Sequence, residues 1–180
     1  SGGLEAARFL SSVANSVLIA LFAALEAEDE EGAAQVALCA IGGYGAGELA
    51  PGSDIDLLFV KADDAGAAAD RFIETAIMAL WDIGLTVGGA ASRTIAETLD
   101  LAREDVSEQT TLLSIRLVAG NRELADDLES RFRAEANAST GSEFVEAKLI
   151  ERDRRIARAG RSRYTVEPNI KDSKGGLRDL

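Results

Sequence analysis

Asp54 and Asp56 flank a single apolar residue, Ile55, and follow a stretch containing Gly42, Gly43, Gly45 and Gly47. In an extended segment, residues at i and i+2 point to the same side. The two carboxylates should therefore project together while Ile55 turns into the core. Carboxylates held so close repel each other unless a cation lies between them. Hard oxygen ligands on a rigid strand suit Mg²⁺, which commonly binds one or two carboxylates plus substrate phosphates. The glycines leave bare backbone just upstream, where N–H groups can approach phosphate oxygens. A phosphate cradle beside a metal-binding pair implies phosphoryl or nucleotidyl transfer. A D-x-D pair alone also fits the polar side of an edge strand, and glycines alone fit a tight turn. Their coupling, with the Ser53 hydroxyl between them, favours chemistry.

These residues need elements to hold them. Residues 36–41 form a near-continuous apolar run, expected of a strand buried on both faces. Residues 55–60 read as the second strand, opening on the aspartates. Ahead of them, residues 4–27 are rich in alanine and leucine at helical spacing and predict a long amphipathic helix; an acidic connector follows at 27–32. Residues 67–83 predict a helix with Phe72, Ile73, Ile77, Leu80 and Trp81 facing the core, ended by Gly84. Residues 85–91 read as a third strand, weakened by Gly88 and Gly89. Helices are then expected at 94–104, 107–119, 122–136 and 142–159, with Asn121 and Ser142 as N-caps. The fold class is α/β: a small mixed sheet flanked by helices, followed by a helical extension. Residues 1–136 make the catalytic domain with its N-terminal helix, and 137–180 start a helical linker domain in what reads as a fragment of a longer protein.

Composition narrows the function. The chain has 180 residues, 47% hydrophobic and 28% charged, which is ordinary for a globular protein and argues against disorder. Its formal charge is −12, from 31 acidic and 19 basic residues. That balance disfavours nucleic-acid binding, which needs a basic footprint. There is no histidine, so Ser-His-Asp, Cys-His and His-zinc chemistry are excluded. Cys39 is the one cysteine and reads as a buried structural thiol. No apolar run reaches the roughly 18 residues of a membrane span, and no basic leader opens the chain, so a cytoplasmic protein without a membrane span is expected. Residues 45–50 also fit the dinucleotide pattern G-x-G-x-x-A. That motif needs a helix to follow, but Pro51 and Gly52 intervene at once. The basic residues Lys148, Arg152, Arg154, Arg155, Arg158, Arg161 and Arg163 spread over several faces of one expected helix. They read mostly as a solvated face paired with Glu146, Glu151 and Asp153.

Three blocks carry a family resemblance: GGYGAGELAPGSDIDLL at 42–58, LWDIGLTVG at 80–88 and YTVEPNIKDSKGGLRDL at 164–180. Gly-Gly, a short spacer and Asp-apolar-Asp resemble the DNA polymerase beta-like nucleotidyltransferase superfamily. With the flanking blocks, the chain looks like the uridylyltransferase/uridylyl-removing enzymes that modify the PII nitrogen-signalling protein. The resemblance implies a nucleotidyltransferase fold, with Asp54 and Asp56 as catalytic metal ligands for Mg²⁺. It implies that Gly42, Gly43 and Ser53 lie at the nucleotide, with Gly43 and Ser53 on the triphosphate. It further implies transfer of UMP from UTP to a tyrosine of PII, with release of pyrophosphate. The family's uridylyl-removing activity belongs to a separate metal-hydrolase domain with histidine ligands.

The tail at 167–179 is too irregular for a core element. Lys171, Lys174 and Arg178 could bring positive charge to the triphosphate, or the segment is a linker into a following domain. The family usually has arginine where this chain has Ala46, and a histidine just after the third strand. The third strand also carries no acid. Glu167 or Asp179 could complete the metal site, two aspartates could suffice, or the chain is weakly active. Two rival functions stay open: transfer to another acceptor or of another base, such as adenylyl transfer, and a non-catalytic nucleotide-binding regulatory module.

Overall fold

The computed structural model describes residues 2–85, 87, 90–138 and 141–158. Its elements are α1 (Gly3–Glu26), α2 (Glu30–Ala34), β1 (Val36–Ala40), α3 (Gly42–Gly45), β2 (Leu57–Lys61), α4 (Ala67–Asp82), β3 (Ala91–Thr94), α5 (Ile95–Glu104), α6 (Val106–Leu112), β4 (Arg116–Gly120), α7 (Arg122–Ala138) and α8 (Gly141–Arg158). They divide into two compact units, Ser1–Ala134 and Glu135–Leu180.

In the first unit, four strands form one mixed sheet in the order β3-β2-β1-β4. β1 runs antiparallel to both β2 and β4, and β3 joins β2 in parallel. Both faces of the central strands are covered, which explains their unbroken apolar runs. On one face Val36, Leu38, Ala40, Leu57 and Phe59 share a core with Leu18 and Phe22 of α1 and Phe72, Ile73 and Leu80 of α4. The Phe22 and Phe72 rings meet at 5.0 Å and 60°. On the other face Ala37, Cys39, Leu58 and Val60 pack with Ile95 and Leu99 of α5, Leu112 of α6 and Leu128 and Phe132 of α7. Complete burial of a side chain such as Phe59 contributes roughly 2–3 kcal/mol.

Local chemistry sets the element ends. Thr94 and Glu97 form a reciprocal capping box at the start of α5, a feature that contributes about 1 kcal/mol. Asn121 Oδ1 accepts from the Glu123 and Leu124 amides at the start of α7, as expected. α4 ends in a Schellman motif: the Gly84 amide donates to the Trp81 carbonyl and the Leu85 amide to that of Leu80.

Several expectations need correction. Residues 107–119 are not one helix. α6 stops at Leu112, and Arg116–Gly120 forms β4 against β1. Among the described residues the third strand is Ala91–Thr94, beyond most of the expected 85–91, of which residues 86, 88 and 89 lie outside the described residues. Upstream of it, Val87 makes an isolated bridge to Ile55. The acidic connector contains α2, whose N-cap Asp29 accepts from the Gly32 amide. Trp81 does not face the core and is 65% exposed; it lies about 100° round the helix from Leu80, off the buried stripe. Ser142 lies inside α8 rather than ahead of it. Against the expectation that no apolar run is long enough, α1 is by length and composition apolar enough to cross a membrane, with mean hydropathy 1.8. Its Ala14, Leu18 and Phe22 nonetheless belong to the core described above.

Candidate active site around the glycine turn

β1 delivers the chain to the glycine turn and β2 carries it away. The antiparallel register pairs Ala40 with Leu57. One step further, the Ile41 amide donates to the Asp56 carbonyl at 3.2 Å. This closes the excursion between the strands and sets Asp56 beside the first glycine. A Cβ built on Gly42 would lie 3.3 Å from Asp56 Oδ2, and Gly42 has φ +59°. Only glycine takes that conformation at little cost, so the residue before the bend is fixed by backbone shape and by the neighbouring carboxylate.

The acids sit just ahead of β2, not within it. Ile55 is 6% exposed and pairs with Val87, while Asp54 is exposed and Asp56 half-buried. This alternation is the expected one. The donor set, two carboxylates on the polar side of an extended segment, fits a hard divalent cation such as Mg²⁺. Among the described residues no group of three or more histidine, cysteine or acidic side chains could hold a metal. β3, as observed, is Ala-Ser-Arg-Thr and brings no acid.

The other expected site residues are less closely gathered. Gly43 accepts the Glu48 amide through its carbonyl at 2.9 Å. Its own Cβ position is open, with the Glu48 carbonyl oxygen 3.6 Å away. Ser53 is exposed, and its hydroxyl donates to the Asp54 carbonyl at 3.3 Å. Lys171, Lys174 and Arg178 lie outside the described residues, as do Glu167, Asp179, Arg161 and Arg163. In the second unit, Lys148 pairs with Glu151, Arg152 with Asp153 and Arg155 with Glu151. The basic run is thus self-paired through Glu151 and Asp153 as expected, but it is not all solvated, since the Arg155 side chain is only 10% exposed.

The turn is held by residues that sequence reading did not single out. The Ser11 hydroxyl of α1 accepts the Leu49 amide at 2.9 Å, and both residues are buried. The Ser114 hydroxyl donates to the Gly42 carbonyl at 2.8 Å. Arg116 and Asn15 contact Tyr44 and Gly45. A Cβ on Gly45 would overlap the Ser114 carbonyl and lie 3.0 Å from that of Ala40. Gly45 is therefore a packing glycine, unlike Gly43. These partners lie 29 to 72 residues in sequence from the turn residues they bind, so no local pattern could reveal them.

Two buried acids of the weaker kind flank the site. Burial raises the Tyr44 phenol above its usual range, partly opposed by the nearby Arg116 charge. Its hydroxyl donates to Asn15 Oδ1 at 2.7 Å. Burial pushes the Cys39 thiol up to about 12, with Arg116 pulling against it and Glu129 adding to it. The expected consequence is a native thiol inert to iodoacetamide at neutral pH that reacts once the chain is unfolded, read by mass spectrometry. The stability consequence has a definite sign. Above the ordinary value of 9.0 the unfolded thiol ionises while the folded one keeps its proton. The thiol's contribution is thus fully present below pH 9 and is lost as pH rises toward 12, by about 1.4 kcal/mol per unit. Urea melts at pH 8, 9.5 and 10.5 test this, and unchanged stability across them would contradict it.

Similarity to known proteins identifies the family. Residues 143–180 match the family model described as GlnD PII-uridylyltransferase. The chain is 51% identical over 100% of its length to the bifunctional uridylyltransferase/uridylyl-removing enzyme of Phenylobacterium zucineum (strain HLK1). It is 48% identical over 100% of its length to that of Caulobacter vibrioides (strain NA1000 / CB15N) and 44% over 99% to that of Bradyrhizobium sp. (strain BTAi1 / ATCC BAA-1182). In each case it spans 20% of the relative's length. A loose structural likeness, TM-score 0.41 at 13% identity over 74% of this chain and 94% of the other, is to a structure titled "Crystal structure of the toxin-antitoxin with AMP-PNP". Matched along its whole length at such identities, the chain belongs to the bifunctional uridylyltransferase/uridylyl-removing enzyme family and corresponds to one fifth of those relatives.

Proposed function

We propose that this chain carries the uridylyl-transferring chemistry: it takes UMP from UTP, places it on a tyrosine of a PII protein and releases pyrophosphate. The observation that supports this best is the apposition of the Gly42 turn and the Asp56 carboxylate, 3.3 Å from the Cβ position of that glycine. A family described as acting on PII supplies the acceptor. In the reaction the tyrosine oxygen forms a bond to the α-phosphorus and the bond from that phosphorus to the β-bridging oxygen breaks. The phenolic proton passes to solvent. Asp54 and Asp56 would hold Mg²⁺, which when bound neutralises phosphate charge and makes the acceptor hydroxyl more acidic. Gly42 and Gly43 let phosphate oxygens approach the backbone, and Ser53 offers a hydroxyl at the rim. The protein's own share is then positioning and fixed electrostatics. The uridylyl-removing activity in the relatives' names is not placed on this chain, which has no histidine. A cytoplasmic setting suits a chain whose apolar α1 contributes to the sheet core.

A second reading has one observation in its favour. The described residues lack a third acid at the site, as a module that holds nucleotide without turning it over would. Incubation with labelled UTP or ATP, a PII protein and Mg²⁺ or EDTA separates the two. Mg-dependent labelling of PII from UTP is the expected result. Mg-dependent nucleotide binding without labelling or pyrophosphate release would replace transfer by the binding module. Preference for ATP would move the chain to adenylyl transfer.

A further inference from the structure

β4 enters the sheet beside the glycine turn, and its approach grips that turn at both ends. The Ser114 hydroxyl holds the Gly42 carbonyl. Two residues on, Arg116 Nε donates to the Gly45 carbonyl and Nη2 to the Tyr44 carbonyl, each at 3.2 Å. These are carbonyls at the end of a one-turn helix, where intrahelical donors run out. The same Nη2 reaches Asn15 Oδ1 of α1 at 3.2 Å, and the guanidinium lies 5.4 Å from the centre of the Tyr44 ring. One planar fork thus ties β4 and α1 to one turn, a task that the single ammonium of lysine cannot reproduce. The acceptors are all neutral: two carbonyls and a carboxamide. The arginine charge is therefore not neutralised through these bonds, and two acids, Asp126 and Glu129, line the same cleft as Arg116.

A segment carrying Gly42, Gly43, Gly45 and Gly47 has much conformational freedom to lose when a ligand orders it. A clamp that removes this freedom in advance strengthens binding. We propose that Arg116 is a positioning residue for the nucleotide. It presets the Gly42–Gly45 turn against Asp56 through the Tyr44 and Gly45 carbonyls, without touching the nucleotide itself. The proposal rests on reading the glycine turn as the triphosphate cradle.

The test uses wild type, Arg116→Ala and Arg116→Lys, with two readouts. The first is Mg-UTP dissociation by calorimetry, joined to KM and kcat wherever transfer is measurable. Arg116→Ala should weaken UTP binding by about tenfold or more with a smaller change in kcat; Arg116→Lys should fall between it and wild type. Added guanidinium should recover part of the alanine variant's loss. The second readout is amide hydrogen exchange. In Arg116→Ala, the Gly47 and Glu48 amides, bonded to the Tyr44 and Gly43 carbonyls, should exchange faster while the β1–β2 ladder stays protected. Faster exchange everywhere with unchanged UTP affinity would make Arg116 merely structural and overturn the proposal. So would unaltered exchange at the turn. Wild type that binds no UTP would instead sink the cradle reading on which the proposal stands.

Discussion

Asp54→Asn and Asp56→Asn should each lower Mg-dependent UMP transfer by on the order of a thousandfold, about 4 kcal/mol of lost transition-state stabilisation. Each change removes a negative charge while keeping the size of the side chain. Asp54 is exposed, so its variant should melt within about 1 kcal/mol of wild type. Asp56 is half-buried against Gly42, so its variant should lose more stability than that of Asp54. The measurement is labelled UMP on a PII protein over a Mg²⁺ titration, alongside urea denaturation. Wild-type turnover by either variant would dismiss that residue as a metal ligand. Turnover by both would remove the aspartate pair from the chemistry.

Gly45→Ala should cost about 3 kcal/mol of folding stability, because its methyl group would collide with the Ser114 carbonyl, backbone that cannot swing aside. Gly43→Ala makes the informative contrast. The methyl group there meets the Glu48 carbonyl at an ordinary 3.6 Å, so stability should change by less than about 1 kcal/mol. If phosphate oxygens lie over that backbone, the same methyl group should raise the UTP requirement by about tenfold. Two glycines two residues apart would then separate cleanly, one needed for the fold and the other for the nucleotide. Equal loss of stability in both variants would refute the distinction. Chemical denaturation together with KM for UTP decides it.

Much of the central architecture could be read from sequence because it is locally encoded. β1 and β2 are apolar on both faces, and their runs announce it. α4, α5 and α7 carry helical stripes and end signals, including Gly84, Thr94 and Asn121. Asp54, Ile55 and Asp56 show the burial alternation that D-x-D requires. β4 was hidden for two reasons. It sits at the sheet edge with residues 116–119 half-buried on both sides, so it shows neither alternation nor a deep apolar run. Leu112, Ile115 and Ala119 also continue a three-to-four spacing, which mimics a helix until pairing with β1 intervenes. Leu85 and Val87 draw the third strand toward the start of 85–91 because they are the more apolar residues, whereas among the described residues the ladder to β2 begins at Ala91. The buttress of Asn15, Ser114 and Arg116 was illegible for a related reason. Each residue is ordinary in its own neighbourhood and acquires meaning only across the fold.

The order in which the ribosome releases these parts gives the sheet topology a temporal consequence. Gly42 through Asp56 and both central strands leave the exit tunnel early, but the strand that fixes the turn follows some seventy residues later, Ser114 standing 72 positions beyond Gly42. Closing so long a loop is entropically slow relative to forming the hairpin. A nascent chain therefore holds its acidic pair well before it holds a rigid cradle. Competence to bind nucleotide should switch on late in synthesis, as β4 docks on β1, rather than grow with the chain.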